Sequence, residues 1–245
     1  MSGVTTPIEK SESAGRGALS RDVAKSAGTQ LVPKQLEDRA TIYRGGKARR
    51  EVDAFREIRT RLLAAAEGNF VTLVAPVSRG SGGSFVARNL AASMSFDETR
   101  SALLVDCDLR YPSQNVTMRL TTDAGGLTDY LDGQRSEVGD VIYETGVPGL
   151  RLLPAGATRE IGTEYFSSSR MRLLVDTLRS QYPHCHLFLD GPPVQGSPDA
   201  RILAELADVV ILVAGYAKDT PATIAQAASN FPPEKFAGVV FNEGV

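Results

Sequence analysis

Six short runs of consecutive apolar residues punctuate the chain: Phe70-Ala75, Ala102-Asp106, Leu150-Pro154, His186-Asp190, Val209-Ala214 and Ala237-Phe241. A strand with one wet face alternates apolar and polar side chains, whereas strands that stay apolar from residue to residue are covered on both faces. Helical spacing fills the intervals, over Ser84-Ser95, Ser168-Gln181, Asp199-Ala207 and Ala222-Asn230. Before the first run, Val52, Phe55, Ile58, Leu62 and Leu63 repeat at helical intervals with charges between them, which predicts an amphipathic helix from Glu51. Strand, helix, strand in this order predicts an α/β fold of three layers, a mostly parallel sheet flanked by helices on both faces.

Composition narrows the class. With 245 residues, 42% of them hydrophobic and 23% charged, the chain is long enough for one sizeable core. Two cysteines, Cys107 and Cys185, are too few for a disulfide-built scaffold, and no signal-peptide pattern opens the sequence, so a reducing cytosol is the expected compartment. The longest apolar run, Val209-Ala214, falls far short of the roughly 20 residues that a membrane-spanning helix needs, so membrane contact is expected to be peripheral or through a partner. Charge is uneven: residues 1–50 carry +5 and residues 51–245 carry −7. Residues 1–45 are rich in Ser, Gly, Thr, Lys and Arg and keep no period, which predicts a disordered basic arm before a folded domain over 46–245. Such an arm is either a solvated tail or a contact for anionic lipid or a partner.

In open α/β sheets, ligands bind past the carboxyl ends of the strands. The first strand runs into Val77-Ser78-Arg79-Gly80-Ser81-Gly82-Gly83-Ser84, a Gly-rich turn opening a helix, where backbone N–H groups can curl around an anion. A full phosphate-binding loop reads Gly-Lys-Ser/Thr where this chain reads Gly82-Gly83-Ser84. Taken alone, the turn is either a phosphate site or a tight turn. The second strand ends in Asp106-Cys107-Asp108-Leu109-Arg110, two acids able to hold Mg²⁺ through water or to accept a proton, or else merely solvated loop acids. The run 187–190 ends on Asp190, where a Mg²⁺-associated aspartate belongs. Three such strand ends in this order point to nucleotide-binding ancestry.

These motifs, together with Asn89-Leu90-Ala91, Gly126-Leu127-Thr128-Asp129-Tyr130-Leu131, Leu153-Pro154-Ala155-Gly156, Asp190-Gly191-Pro192-Pro193 and Asp199-Ala200, resemble the cytoplasmic catalytic domain of bacterial tyrosine kinases (BY-kinases). That family belongs with the ParA/MinD-like P-loop NTPases and partners polysaccharide co-polymerases, and the resemblance spans about residues 50–245. It implies phosphate cradling by Gly80, Gly82 and Gly83 and Mg²⁺ coordination by Ser84 and Asp190. It further implies catalysis or metal-water positioning by Asp106 and Asp108, and adenine contact by Asn242. The helix segment carrying Asp53, Arg56 and Arg59 resembles the family's Glu-x-x-Arg-x-x-Arg oligomerisation motif with Asp in place of Glu, and its spacing suits either docking on a second copy or an exposed ion-pair stripe.

Two departures bear on activity. The loop lysine is replaced by Gly83, and Arg79, four residues earlier, does not occupy its geometry. The tyrosine cluster in which active family members end has no counterpart after Tyr216. Both departures predict a kinase-like scaffold, with ATP and Mg²⁺ as its conceivable ligands, rather than an enzyme; an active tyrosine kinase or ATPase with a non-standard loop is the alternative. By resemblance the chain is expected to be homo-oligomeric and to have no nucleic-acid partner. It is expected to lie in the cytoplasm, peripheral to the inner membrane, docked through its nucleotide face and the 53–59 helix on a transmembrane co-polymerase that is a separate chain. His184-Cys185-His186 offers only two imidazoles, and the chain has no other histidine to complete a zinc site.

Overall fold

Side chains that are apolar at every position of a strand need a layer above and a layer below, and the chain supplies both. The computed structural model describes residues 30–46, 49–66 and 68–243. Over them the chain runs α1 (Pro33–Glu37), α2 (Arg49–Ala65), β1 (Val71–Pro76), α3 (Gly83–Met94), β2 (Ser101–Asp106), α4 (Gln114–Thr117) and α5 (Leu127–Leu131). After a 3₁₀ turn at Val138–Val141 come β3 (Tyr143–Glu144), β4 (Leu150–Leu153), α6 (Thr163–Ser167), α7 (Ser169–Gln181), β5 (Cys185–Asp190), α8 (Asp199–Leu206), β6 (Val209–Gly215), α9 (Pro221–Ala228) and β7 (Phe236–Asn242).

The strands form one sheet in the order β3-β4-β2-β5-β1-β6-β7. All pairings are parallel except β3 with β4. Alternate strand residues feed two cores. Val71, Leu73, Leu103, Val105, Leu187 and Leu189 pack with Leu174 and Leu178 of α7 and Leu203 of α8. Val74, Leu104, Phe188 and Ile211 pack on the other face with Phe55 and Leu62 of α2 and Leu90 of α3. The expected three-layer α/β arrangement is the observed one. Each predicted strand is present within a residue or two of its expected bounds. The added strand β3 is a two-residue antiparallel edge, too short for any periodicity to reveal.

The expected arm over residues 1–45 needs correction in its last third. Residues 1–29 lie outside the described residues, but 30–45 carry α1 and are packed: Leu36 and Ile42 are buried in the same core as α3. The anchor is Asn89, whose Oδ1 accepts the Ile42 N–H at 2.7 Å while its Nδ2 donates to the Ala40 carbonyl at 3.0 Å. Isolated apolar residues held by a side chain 47 positions away leave no local period to read.

Two of the quoted motifs are each other's packing partners. The amides of Leu127 and Thr128 donate to the carbonyls of Pro154 and Ala155 at 2.8 and 2.9 Å. A Cβ on Gly126 would stand 2.4 Å from the Gly156 nitrogen, so the close approach requires glycine.

Candidate functional site

At the carboxyl end of β1 the chain turns through Val77–Gly82 and enters α3. Gly80 and Gly82 both have left-handed backbones, with φ of 80° and 89°. The turn closes on itself through the Ser81 N–H to the Ser78 carbonyl at 3.2 Å. The first amides of α3, from Gly83 up to the Val86 N–H that bonds the Gly82 carbonyl, have no acceptor one turn earlier in the helix, the arrangement that lets a helix start hold an anion.

The lysine position is filled as well as vacated. A Cβ on Gly83 would stand 2.6 Å from the Cδ of Pro76 and 2.9 Å from its Cγ. The pyrrolidine ring at the end of β1 therefore takes up the volume from which a side chain at 83 would start. Arg79 does not compensate, because its guanidinium is engaged on Tyr111, 3.3 Å from the ring centroid. That pair borders a cavity of about 200 Å³ that Asp108 also lines.

Beneath the loop, β2 and β5 set Asp106 and Asp190 side by side in register. Both are fully buried. Asp106 Oδ2 accepts the N–H groups of Ser113 and Gln114, each at 3.0 Å, at the start of α4. The Gln114 side chain bridges the loop and the acids: its Nε2 donates to Asp190 Oδ2 at 2.6 Å and to the Ser84 carbonyl at 2.9 Å. Arg88 in turn donates to Gln114 Oε1 at 3.0 Å. Desolvation raises the pKa of both acids, most strongly at Asp190, where the neighbouring Asp106 adds to it. Asp108, farther out, is raised by desolvation too. Cys107 is buried between the acids, and burial pushes its thiol far from the reactive thiolate.

Asp190 Oδ1 is buried with no hydrogen-bond partner. An orphaned carboxylate oxygen next to Ser84 suits a hard cation. No group of three His, Cys, Asp or Glu side chains able to hold a metal occurs among the described residues. Magnesium commonly takes one or two carboxylates and completes its shell with phosphate oxygens and water, so Ser84 and Asp190 fit Mg²⁺ carried in with a nucleotide. Bound there, the ion would neutralise phosphate charge.

Asn242, at the end of β7, lies against the loop: its Nδ2 donates to the Ser81 carbonyl at 3.1 Å, and a Cβ on Gly82 would overlap it. The structure thus gathers Gly80, Gly82, Gly83, Ser84, Asp106, Asp190 and Asn242, with Asp108 on the rim. Sequence reasoning missed Pro76, Gln114, Lys218 and Asp219. The last two were visible as charges after β6, a fourth strand end of the same kind as the other three. Asp219 accepts from Ser78 Oγ at 2.5 Å, from Ser81 Oγ at 2.6 Å and from the Gly215 N–H at 2.7 Å. Burial opposes its ionisation, but those hydrogen bonds hold its pKa below the usual value.

The remaining sequence candidates lie elsewhere. Asp53 and Arg56 form an ion pair at 3.1 Å, and Arg56 also donates to the Arg44 carbonyl at 3.2 Å. Arg59 donates to the Ser93 carbonyl at 2.9 Å. His184 is exposed, while His186 is buried against Phe70 with ring centroids 4.4 Å apart, so the two imidazoles do not converge.

Comparison with known proteins bears on the fold and on the family. No family profile matches the chain. It is 28% identical over 199 residues to the tyrosine-protein kinase CpsD of Streptococcus agalactiae, covering 80% of this chain and 84% of that protein. To the putative tyrosine-protein kinase EpsB of Ralstonia solanacearum it is 35% identical over 196 residues, covering 78% of this chain but 25% of that protein. Among solved structures, the VpsO kinase domain superposes with a TM-score of 0.69 at 28% identity, covering 80% of this chain and 97% of that one. The Pyrococcus furiosus cell-division ATPase MinD shares the fold, with a TM-score of 0.58 at 20% identity over 71% of this chain and 70% of that one. The chain is a homologue of the bacterial tyrosine-protein kinases, built on the ParA/MinD-like P-loop fold.

Proposed function

We propose that this chain is a kinase-like regulatory component of polysaccharide production and export, which binds an adenine nucleotide with Mg²⁺ but does not transfer its phosphoryl group at a useful rate. The observation that carries the reading is the Pro76 ring standing where a side chain at Gly83 would begin. Catalysis in such loops is mostly electrostatic positioning, so a site without that cation loses orders of magnitude in rate while its amides can still hold an anion. Asp106, Asp190 and Gln114, all fully buried, form with the half-buried Ser84 an ordered network that suits ligand binding. In this reading the chain works at the cytoplasmic end of a transmembrane co-polymerase, as a homo-oligomer docked through its nucleotide face and the Asp53, Arg56 and Arg59 stripe. The names of its relatives support the pathway.

The test is calorimetric titration of the purified chain with Mg-ATP, followed by an assay for turnover and phosphotyrosine. Binding is expected, with turnover no greater than that of the Asp106→Ala variant. Rapid ATP-dependent labelling of a tyrosine by the wild-type chain alone would refute the regulatory reading.

A further inference from the structure

The turn after β6 lies flush on the phosphate loop. A Cβ on Gly215, the last residue of β6, would stand 3.1 Å from the Ser81 Cα and 3.4 Å from the Lys218 Cβ. Asp219 bolts the turn down through its bonds to Ser78 and Ser81. Between these fixed points Ala217 adopts a left-handed backbone, with φ of 55°, a conformation that L-residues other than glycine adopt only at a cost. The turn carries Lys218 back over the loop: its Nζ is 2.8 Å from where a Cβ on Gly80 would stand.

The other cations near the loop are committed. Arg79 stacks on Tyr111. Arg88 is buried and donates to Gln114 and to the Ala40 carbonyl. Lys218 is exposed, and no salt bridge engages it among the described residues; Asp219 beside it spends its oxygens on the two serines and the Gly215 amide. An exposed ammonium in no salt bridge thus lies over a glycine of the anion loop, while beneath the loop a buried carboxylate oxygen of Asp190 lacks a hydrogen-bond partner.

We propose that Lys218, delivered from the β6–α9 turn onto Gly80, is the cation that meets the phosphates of a nucleoside di- or triphosphate bound in this loop, in place of the lysine that Pro76 and Gly83 exclude. The inference rests on the nucleotide-binding reading and deepens it. A lysine arriving from another strand end, on a long flexible stem, supplies charge to a bound phosphate chain. It does not reproduce the fixed position beside the transferring phosphoryl group, so it favours holding a nucleotide over turning it over.

The full chain is titrated with Mg-ATP and, separately, with pyrophosphate, as wild type and as Lys218→Ala, Lys218→Arg and Lys34→Ala. One charge-assisted hydrogen bond to phosphate corresponds to roughly ten- to hundred-fold in affinity. Lys218→Ala is expected to lose that much for both probes, Lys218→Arg to stay within a few-fold of wild type, and Lys34→Ala, on the distant α1, to match it. Wild-type binding with an unchanged Lys218→Ala affinity overturns the assignment while leaving the nucleotide reading intact. A loss for ATP but not for pyrophosphate places the lysine on ribose or base and overturns it as well. If the wild type binds neither probe, both readings fall. Thermal unfolding of each variant shows whether an affinity loss comes from loss of fold.

Discussion

Pro76 and Gly83 act as a pair. The ring of one occupies the first atom of any side chain on the other, so restoring the lysine is a two-residue problem. Gly83→Lys alone must displace the ring or the loop, and overpacking of this kind costs about 1–3 kcal/mol. Denaturant unfolding is expected to show that loss, without any gain in Mg-ATP affinity. Pro76→Gly combined with Gly83→Lys opens the space and is expected to recover stability and to tighten Mg-ATP binding above the single variant. If Gly83→Lys by itself is as stable as wild type and binds ATP more tightly, the ring does not exclude the side chain. The absence of lysine could be read directly from the sequence, but the obstruction could not, because residues 76 and 83 meet only once the strand, turn and helix are assembled.

At the scale of elements, most of the architecture was legible because burial on both faces makes a strand apolar at consecutive positions, and a helix packed on one face repeats every three to four residues. The strands β1, β2, β4, β5 and β6, and the helices α2, α3, α7, α8 and α9, obey those rules; β7 is equally apolar in sequence but lies at the sheet edge, where its residues are half-buried or exposed. The short elements α1, α4, α5 and α6 do not, since a single turn of helix contains too few positions to show a period. The segment through α1 is held by long-range polar contacts centred on Asn89, which binds Ile42, Ala40 and Phe85. Asn89→Ala removes all three bonds and strands the Ile42 amide in a buried place, an unsatisfied donor worth about 1–3 kcal/mol. Lower stability in urea and faster proteolysis between residues 30 and 46 are the expected results. Protection equal to wild type would mean that Leu36, Ile42 and the Arg88 bonds to the Ala40 carbonyl anchor the segment without Asn89.

At the scale of the whole molecule, the sheet separates two edges of different chemistry. Its carboxyl edge gathers the acids, the loop and Lys218, while its opposite edge buries His186 at the entry to β5. There, desolvation, with the charge of Arg100 at 3.1 Å from Nε2, lowers the imidazole pKa to about 4. The folded state therefore keeps His186 neutral where the unfolded chain, with the ordinary value of 6.5, takes up a proton. Between those values the unfolded state binds more protons, so stability falls as the pH drops, by at most about 1.4 kcal/mol per pH unit from this group. His186→Phe is expected to flatten the acid limb of the stability curve, measured by urea unfolding from pH 7 to pH 4, and to leave nucleotide affinity at pH 7 unchanged. An unaltered limb would assign the acid sensitivity to other groups. By itself the sequence determined the layers of the fold, the order of its main elements and the residues that crowd the strand ends. These follow from burial patterns and turn chemistry that act over a few residues. Only the tertiary structure decided that Pro76 closes the lysine position, that Gln114 ties Asp190 to the loop, and that Lys218 lies over Gly80. Those are encounters between segments distant in sequence, set by sheet order and by packing at the strand ends.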